Sequence, residues 1–326
     1  MHPFLTIFFL SLLPFIAAGR GRCDDLLRVQ VRYARGFRVE YHPGYKVITT
    51  IAFARERKLD RVTSVNVLLP RDCPEPPLTG PLSGARIVRT PIRRLATTND
   101  GDVAMLRMLG LTDAVVGIAG EPPYPELAIR VRQGLVRPIG YSAAVNLEQV
   151  INAAPELLAV ISQSSGQQAR LDEAAGLGIA VLPNHAWLEA TPLGFAEWIK
   201  ALAVFFDQEA AAERIFNSIA GEYHAVAMRA KALPRRVTAV FATPTPSGNW
   251  TVDRNGKGAR LIEDAGALNL MRDNGPVHYV RIAEERIFQA ARGAEFWISD
   301  DHGEAWNLVL NRPPLAASHH FDETSF

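Results

Sequence analysis

Glu148–Ile161 (EQVINAAPELLAVI) and Glu285–Ile298 (ERIFQAARGAEFWI) share one layout: a glutamate, a short amphipathic helix, a turn and a buried strand. Upstream of each copy a helix is stopped by glycine, at Gly110 in LRMLGL and at Gly266 in IEDAGA. Between the copies, Asp207 can cap a helix running to about Ala232, with Ile215, Ile219, Tyr223, Val226, Ala230 and Leu233 at helical spacing. About 26 residues at about 1.5 Å each reach about 39 Å, the width of a domain. The sequence therefore predicts two lobes of related architecture held apart by one stiff helix.

Outward from these segments, short apolar runs alternate with helical patterns. ARIVRTPI, AVVGIAG, LLAVISQ and IAVLPN read as strands, and Asp102–Leu109, Leu147–Ala153 and Gln167–Leu177 as helices. Buried strands alternating with helices imply an α/β fold with mainly parallel sheets. Thr191-Pro192 begins a helix expected to run through Phe205. After Pro234 come a strand (RVTAVFATP), helices at Ala259–Ala265 and Glu284–Ala291, and a strand (AEFWISD). Residues 27–70 read as β-hairpins turned at His42-Pro43-Gly44, and Pro74–Gly84 as a linker. The expected divisions are a signal peptide (1–19), an N-terminal β-hairpin extension with linker (27–84), an N-terminal lobe (85–190), a helical connector (191–234) and a C-terminal lobe (235–326). The last lobe is expected to be incomplete, because PPLAASHHFDETSF offers no closing strand or helix.

The chain has 326 residues, 48% hydrophobic and 21% charged, with a net charge of +1. That composition excludes wholesale disorder, and the charge balance excludes a general nucleic-acid binder. The almost wholly apolar 15-residue run Phe4–Ala18 is too short to span a bilayer, which takes about 20, and fits a secretory signal cleaved near Ala17-Ala18-Gly19. Gly21-Arg22 before Cys23 departs from a lipoprotein signal, so the expectation is a soluble exported protein. In an oxidising compartment Cys23 and Cys73 form a disulfide or stand as two isolated thiols; their positions alone leave both open.

The run RIVRTPIRRLATTNDGDVAMLRMLGLTDAVVGI (86–118) resembles the first lobe of the iron-siderophore, haem and cobalamin binding proteins of bacterial ABC importers. Its Leu109-Gly110-Leu111-Thr112-Asp113-Ala114-Val115-Val116-Gly117 matches that family's pattern. NLEQVINAAPELLAVI resembles the family's Asn-Leu-Glu helix and Pro-Asp-Leu strand, with Glu156 replacing the usual Asp. WLEATPLGFAEWIKALAVFF and FRVEYHPGYKVIT are similar to a siderophore-type branch. The resemblance covers about residues 28–310 and implies a monomeric, extracytoplasmic, non-enzymatic receptor. It would take a ferric siderophore or related small iron chelate as ligand, with no resident cofactor or metal, and ABC permease subunits as partners. It also implies that Glu148 and Glu285 dock onto the permease.

Loops at the carboxyl ends of parallel strands line the crevice of such lobes. The expected ligand contacts are Thr98, Asn99, Glu121, Tyr124, Ser164, Trp187, Trp250, Arg254, His302 and Trp306. Tryptophan and tyrosine offer rigid faces, and arginine can fork onto chelate oxygens. A direct metal-ion or haem receptor of the same fold is one alternative, and a secreted α/β hydrolase is another. The hydrolase is disfavoured by the lack of Gly-x-Ser-x-Gly and of a phosphate-binding loop.

Overall fold

The structure is a computed structural model that describes residues 23, 26–52, 60–141, 144–161, 165–245, 248–273, 275 and 279–299. The expected signal peptide, Ser164, His302, Trp306 and the C-terminal tail lie outside the described residues.

Four strands, β1 (Phe37–His42), β2 (Tyr45–Ala52), β3 (Arg61–Pro70) and β4 (Arg86–Thr90), make an N-terminal sheet in that order. The first three are antiparallel and β4 runs parallel to β3, from Asn66 opposite Arg86 to Pro70 opposite Thr90. ARIVRTPI therefore belongs to the extension rather than to the first lobe. The Pro- and Gly-rich linker turns at Gly80–Leu82 and returns the chain alongside β3. Cys23 and Cys73 form a disulfide, with Cα atoms 5.9 Å apart.

The first lobe follows with β5 (Leu95–Thr97), α1 (Asp100–Met108), β6 (Val115–Ile118), α2 (Pro125–Arg132) and β7 (Arg137–Pro138). A small hairpin, β8 (Gly140–Tyr141) and β9 (Ala144–Val145), precedes α3 (Leu147–Ala153), β10 (Leu157–Ile161), α4 (Ser165–Gly176) and β11 (Ala180–Asn184). Five of these strands form a wholly parallel sheet in the order β11-β10-β5-β6-β7. Successive residues point to opposite faces. Leu95, Leu157, Ala159 and Leu182 join one core, while Ala96, Leu158, Val160 and Val181 join another with Val150 of α3 and Leu171 of α4. Burial on both faces is why these strands are nearly continuous apolar runs.

The connector comprises α5 (Pro192–Ala196), α6 (Trp198–Ala203) and α7 (Glu209–Lys231). Thr191 caps α5 by accepting the amide of Gly194, 3.0 Å away. The single helix expected from Thr191 to Phe205 is divided at Glu197, which ends α5 and precedes α6. The long helix has 23 residues, about 34 Å at about 1.5 Å per residue. Its buried positions are Glu209, Ala212, Phe216, Ala220 and Ala227. Val226 and Leu233, expected to be apolar contacts, are 51% and 60% exposed. The buried stripe is turned toward alanines, over which the neighbouring backbone can approach closely.

The second lobe holds β12 (Thr238–Pro244), β13 (Asn249–Asp253), α8 (Lys257–Asp264), β14 (Leu268–Asn269), β15 (Tyr279–Ala283), α9 (Glu284–Ala291) and β16 (Phe296–Ile298). Strand β12 pairs in parallel with β14 and β16, as β5 does with β6 and β10. The sequence repeat is thus a structural one. This lobe departs from a mainly parallel sheet because β13 runs antiparallel to both β12 and β15.

Gly266 sets how closely the lobe approaches the connector. Its φ is +79°, and a Cβ there would lie 2.8 Å from the Ala230 carbonyl oxygen of α7. Gly266→Ala is expected to cost roughly 2 kcal/mol, through left-handed backbone and overpacking together. Urea denaturation checks it, and an unchanged midpoint would contradict this packing.

Candidate functional site

Strand order in the first lobe reverses between β5 and β10, since the chain builds outward from β5 through β6 and β7 and then crosses to β10 and β11. In doubly wound sheets, ligands bind outside the carboxyl ends of the strands at such a switch point. Thr98 follows β5 there. Its amide donates to the Ala159 carbonyl (3.1 Å), and its Oγ1 accepts from the Ile161 amide (3.1 Å), tying the ends of β5 and β10 together. Asn99 caps α1 by accepting from Gly101 N (3.0 Å). Beneath them Asp102 is fully buried, and burial pushes its carboxyl up to about 6 against bonds from Thr97, Asn184 and Asn99.

At the carboxyl end of β11, His185 is 1% exposed, and its Nε2 lies 2.8 Å from Thr63 Oγ1 of β3. Burial pushes its pKa down to about 4, helped by the charge of Arg61, so the ring is neutral at physiological pH. The N-terminal sheet thereby buttresses the carboxyl end of β11. Trp187 follows, half-buried. Glu121, beyond β6, is exposed.

Several expected contacts are otherwise occupied. Trp250 is 1% exposed and packs in the second lobe's core, its ring centroid 4.8 Å from Trp297 and 6.3 Å from Phe288. It lies on β13 rather than in a loop, so its face is closed to a ligand. Tyr124 lies beneath the Arg107 guanidinium, 4.9 Å from the ring centroid, and packs against the main core. The guanidinium of Arg254 is paired with Asp273. The loop carrying it is pinned by Asp253, which accepts the amides of Gly256 (2.6 Å) and Gly258 (2.8 Å). Next to it Lys257 reaches the first half of the connector, its ammonium 5.2 Å from the Phe195 ring centroid. The structure brings Thr98 and Asn99 together at the switch point, with Trp187 beyond the neighbouring strand end. Ser164, His302 and Trp306 lie outside the described residues.

Asp102 and Asn184 were not singled out from the sequence, whereas Thr97 belongs to the strand-end run read as lining the cleft. The available signal was the spacing Asn99-x-x-Asp102 ahead of an apolar helix, which resembles a capping box. Glu148 and Glu285 are both exposed, and each is the second residue of its helix, α3 and α9. The repeat therefore aligns Glu285, not Glu284, with Glu148. Among the described residues, no three His, Cys, Asp or Glu side chains gather where they could hold a metal ion.

The family model described as periplasmic binding protein matches residues 95–309, from the first strand of the parallel sheet onward. The chain belongs to the periplasmic binding protein family. That family is one of substrate-binding proteins, and the hydrolase alternative finds no support in it. The N-terminal sheet precedes the matched residues and is an addition to that core.

Among solved structures, the chain is similar to a periplasmic binding protein from Veillonella parvula (TM-score 0.57, 14% identity, 82% of this chain and 86% of that one). It is also similar to a periplasmic haem-binding protein of Vibrio cholerae (0.56, 17%, 69% and 84%). A third is a protein of an ABC-type Fe3+-hydroxamate transport system from Saccharomonospora viridis (0.54, 22%, 68% and 80%). At these identities the likeness is one of fold. Two uncharacterised lipoproteins of Methanocaldococcus jannaschii are 20% identical over 222 residues and 24% identical over 309. The first match spans 65% of this chain and about half (53%) of the relative; the second spans 88% and 73%.

Proposed function

We propose that this periplasmic binding protein is the extracytoplasmic receptor of an ABC importer, and that it captures a ferric siderophore or related iron chelate for delivery to permease subunits. The observation that carries the reading is the topological switch point between β5 and β10, followed by the buried Thr98 and half-buried Asn99, in a lobe that the long helix joins to a second βα unit of the same layout. The Fe3+-hydroxamate transport protein among the similar folds supports the ligand class. The haem-binding protein favours haem as the second reading. A chelate brings its own metal ligands, so the protein need supply only shape, aromatic surface and charge-matched donors.

The disulfide fits an oxidising, extracytoplasmic location, and the lipoprotein names of the two relatives support export. Because the Cys23 sulfur is bonded to Cys73, it is not the atom that would carry a lipid, which favours a receptor without a lipid on Cys23.

Tryptophan-quenching titrations with ferric desferrioxamine B, a ferric catecholate, haemin and cyanocobalamin test the ligand. Saturable micromolar or tighter binding of a ferric chelate is expected. Haemin binding alone would replace the siderophore reading, and no binding by the whole panel would overturn both.

The matched glutamates make a second prediction. Replacing both Glu148 and Glu285 by alanine should reduce uptake in a reconstituted importer by about tenfold or more while ligand affinity stays level. An equal loss of affinity would sink the docking role.

A further inference from the structure

The carboxyl ends of β5 and β11 flank that of β10, and one buried carboxylate joins them. Asp102 accepts from Thr97 Oγ1 (2.8 Å), Asn184 Nδ2 (2.6 Å) and Asn99 Nδ2 (3.4 Å). Each partner in turn holds a backbone amide of a crevice loop. Thr97 Oγ1 accepts from Asn99 N (3.0 Å), Asn99 Oδ1 from Gly101 N (3.0 Å) and Asn184 Oδ1 from Ala186 N (2.8 Å). An ionised carboxylate only accepts, and all three partners donate to it. Such charge-assisted bonds are about twice as strong as neutral ones. Protonation makes one oxygen a donor. The donors around it then compete, and the Thr97 hydroxyl must turn.

We propose that Asp102 is a positioning residue whose ionised carboxylate holds the Thr98–Asn99 loop and the Asn184–Ala186 exit of β11 in one frame, and that mild acidification releases that frame together with the ligand. The release of ligand rests on the binding function proposed above; the frame itself does not.

The titratable groups on the elements packed around it are otherwise engaged. On α1, Asp100 is exposed and Arg107 pairs with Glu126. On α6, Lys200 bonds Glu197 and Glu213. Past β11, His185 bonds Thr63 and stays neutral down to about 4. None of these is bonded to Asp102, whose partners are neutral donors. With burial pushing the carboxyl up to about 6, the ionised form is a cost to folding above that pH. The cost is relieved as pH falls through 6 toward the unfolded value of 3.8; the released frame is one in which the carboxyl stays buried and gives up the three bonds that hold its pKa down, so protonation favours it over the bonded frame.

The test follows the amide resonances of Asn99, Gly101 and Ala186 in the ligand-free full chain, from about pH 8 to about pH 5, in the wild type and in Asp102→Asn. The three should move together with a midpoint near 6 in the wild type and stay flat in the variant. In parallel, affinity for ferric desferrioxamine B should fall about tenfold by about pH 5 in the wild type, as the competent fraction falls, and less than about twofold in Asp102→Asn. Flat wild-type amides, or the same step in the variant, would overturn the proposal. If Asp102→Asn fails to fold, Asn184→Ala decides: Ala186 should stop titrating while Asn99 and Gly101 continue, and an unchanged Ala186 step would overturn it. If ferric desferrioxamine B binds at no pH, the failure is of the ligand assignment, and the amide titration still decides the frame.

Discussion

Glu197→Ala is expected to destabilise the protein by roughly 3–5 kcal/mol, the usual cost of breaking a buried charge pair. The Glu197 side chain is fully buried and accepts the backbone amides of Arg32 (3.0 Å), Tyr33 (2.6 Å) and Ala34 (2.8 Å). It also accepts from the ammonium of Lys200 (3.0 Å), which is equally buried. Alanine would orphan three donors and leave Lys200 the Gln30 carbonyl (2.6 Å), Glu213 (3.1 Å) and the face of the Phe216 ring (4.3 Å to its centroid). Beside it, Glu189 accepts the amides of Arg35 and Gly36, both at 2.9 Å, and the indole N–H of Trp198. These carboxylates hold the extended segment before β1 onto the connector, so the added sheet is clamped to the body of the protein. The variant should show a lowered urea midpoint and new proteolytic cleavage before Gly36. Glu197→Gln, which keeps one acceptor, should fall between. A loss below about 1 kcal/mol, the worth of one ordinary hydrogen bond, would contradict the clamp.

Lys46→Ala should cost a similar amount. Lys46 of β2 is 1% exposed, and its ammonium lies 2.5 Å from Glu209 Oε1, 2.7 Å from Asp207 Oδ1 and 3.0 Å from the Val204 carbonyl. Glu209 is fully buried at the start of α7, and its Oε2 has no hydrogen-bond partner among the described residues. Burial holds the Glu209 pKa above the usual carboxylate range, against the lowering effect of Lys46. Removing the lysine leaves that carboxylate alone in the interior, and with it the left-handed turn at Asp207 (φ 54°). The double variant Lys46→Met, Glu209→Gln should recover most of the loss, since apolar or neutral replacement of both members of a buried pair is often tolerated. If the double variant is as unstable as Lys46→Ala, the loss does not come from a stranded charge.

Both interactions were hidden in the sequence for the same reason. Lys200 interrupts the otherwise apolar WIKALAVFF, which signals a buried charge in need of a partner, but the partners lie 3 to 170 residues away. Local regularities were easier to read. Helix Leu147–Ala153 and the glutamate–helix–turn–strand repeat follow from apolar periodicity and glycine stops, which act over a few residues. Strand β5 is only Leu-Ala-Thr and borders polar residues, so its central place in the sheet left no periodic trace. Strand β4 looked like every other apolar run, and only pairing with β3 assigns it to the N-terminal sheet. For Trp250 a local signal existed: Gly248 ahead of the alternating Asn249–Asp253 marks a hairpin strand, with Trp250 and Val252 turned inward. At the crevice, strand-end loops were legible from the βα pattern. The Asp102 network beneath them joins residues 82 apart, a distance that pattern does not bridge.

The most direct test of the account is the anomalous scattering of iron in crystals grown with ferric desferrioxamine B. One iron peak is expected over the carboxyl ends of β5 and β10, within contact distance of the Thr98–Asn99 loop. An iron peak elsewhere on the molecule, or crystals of the complex-saturated protein with no iron peak, would contradict it.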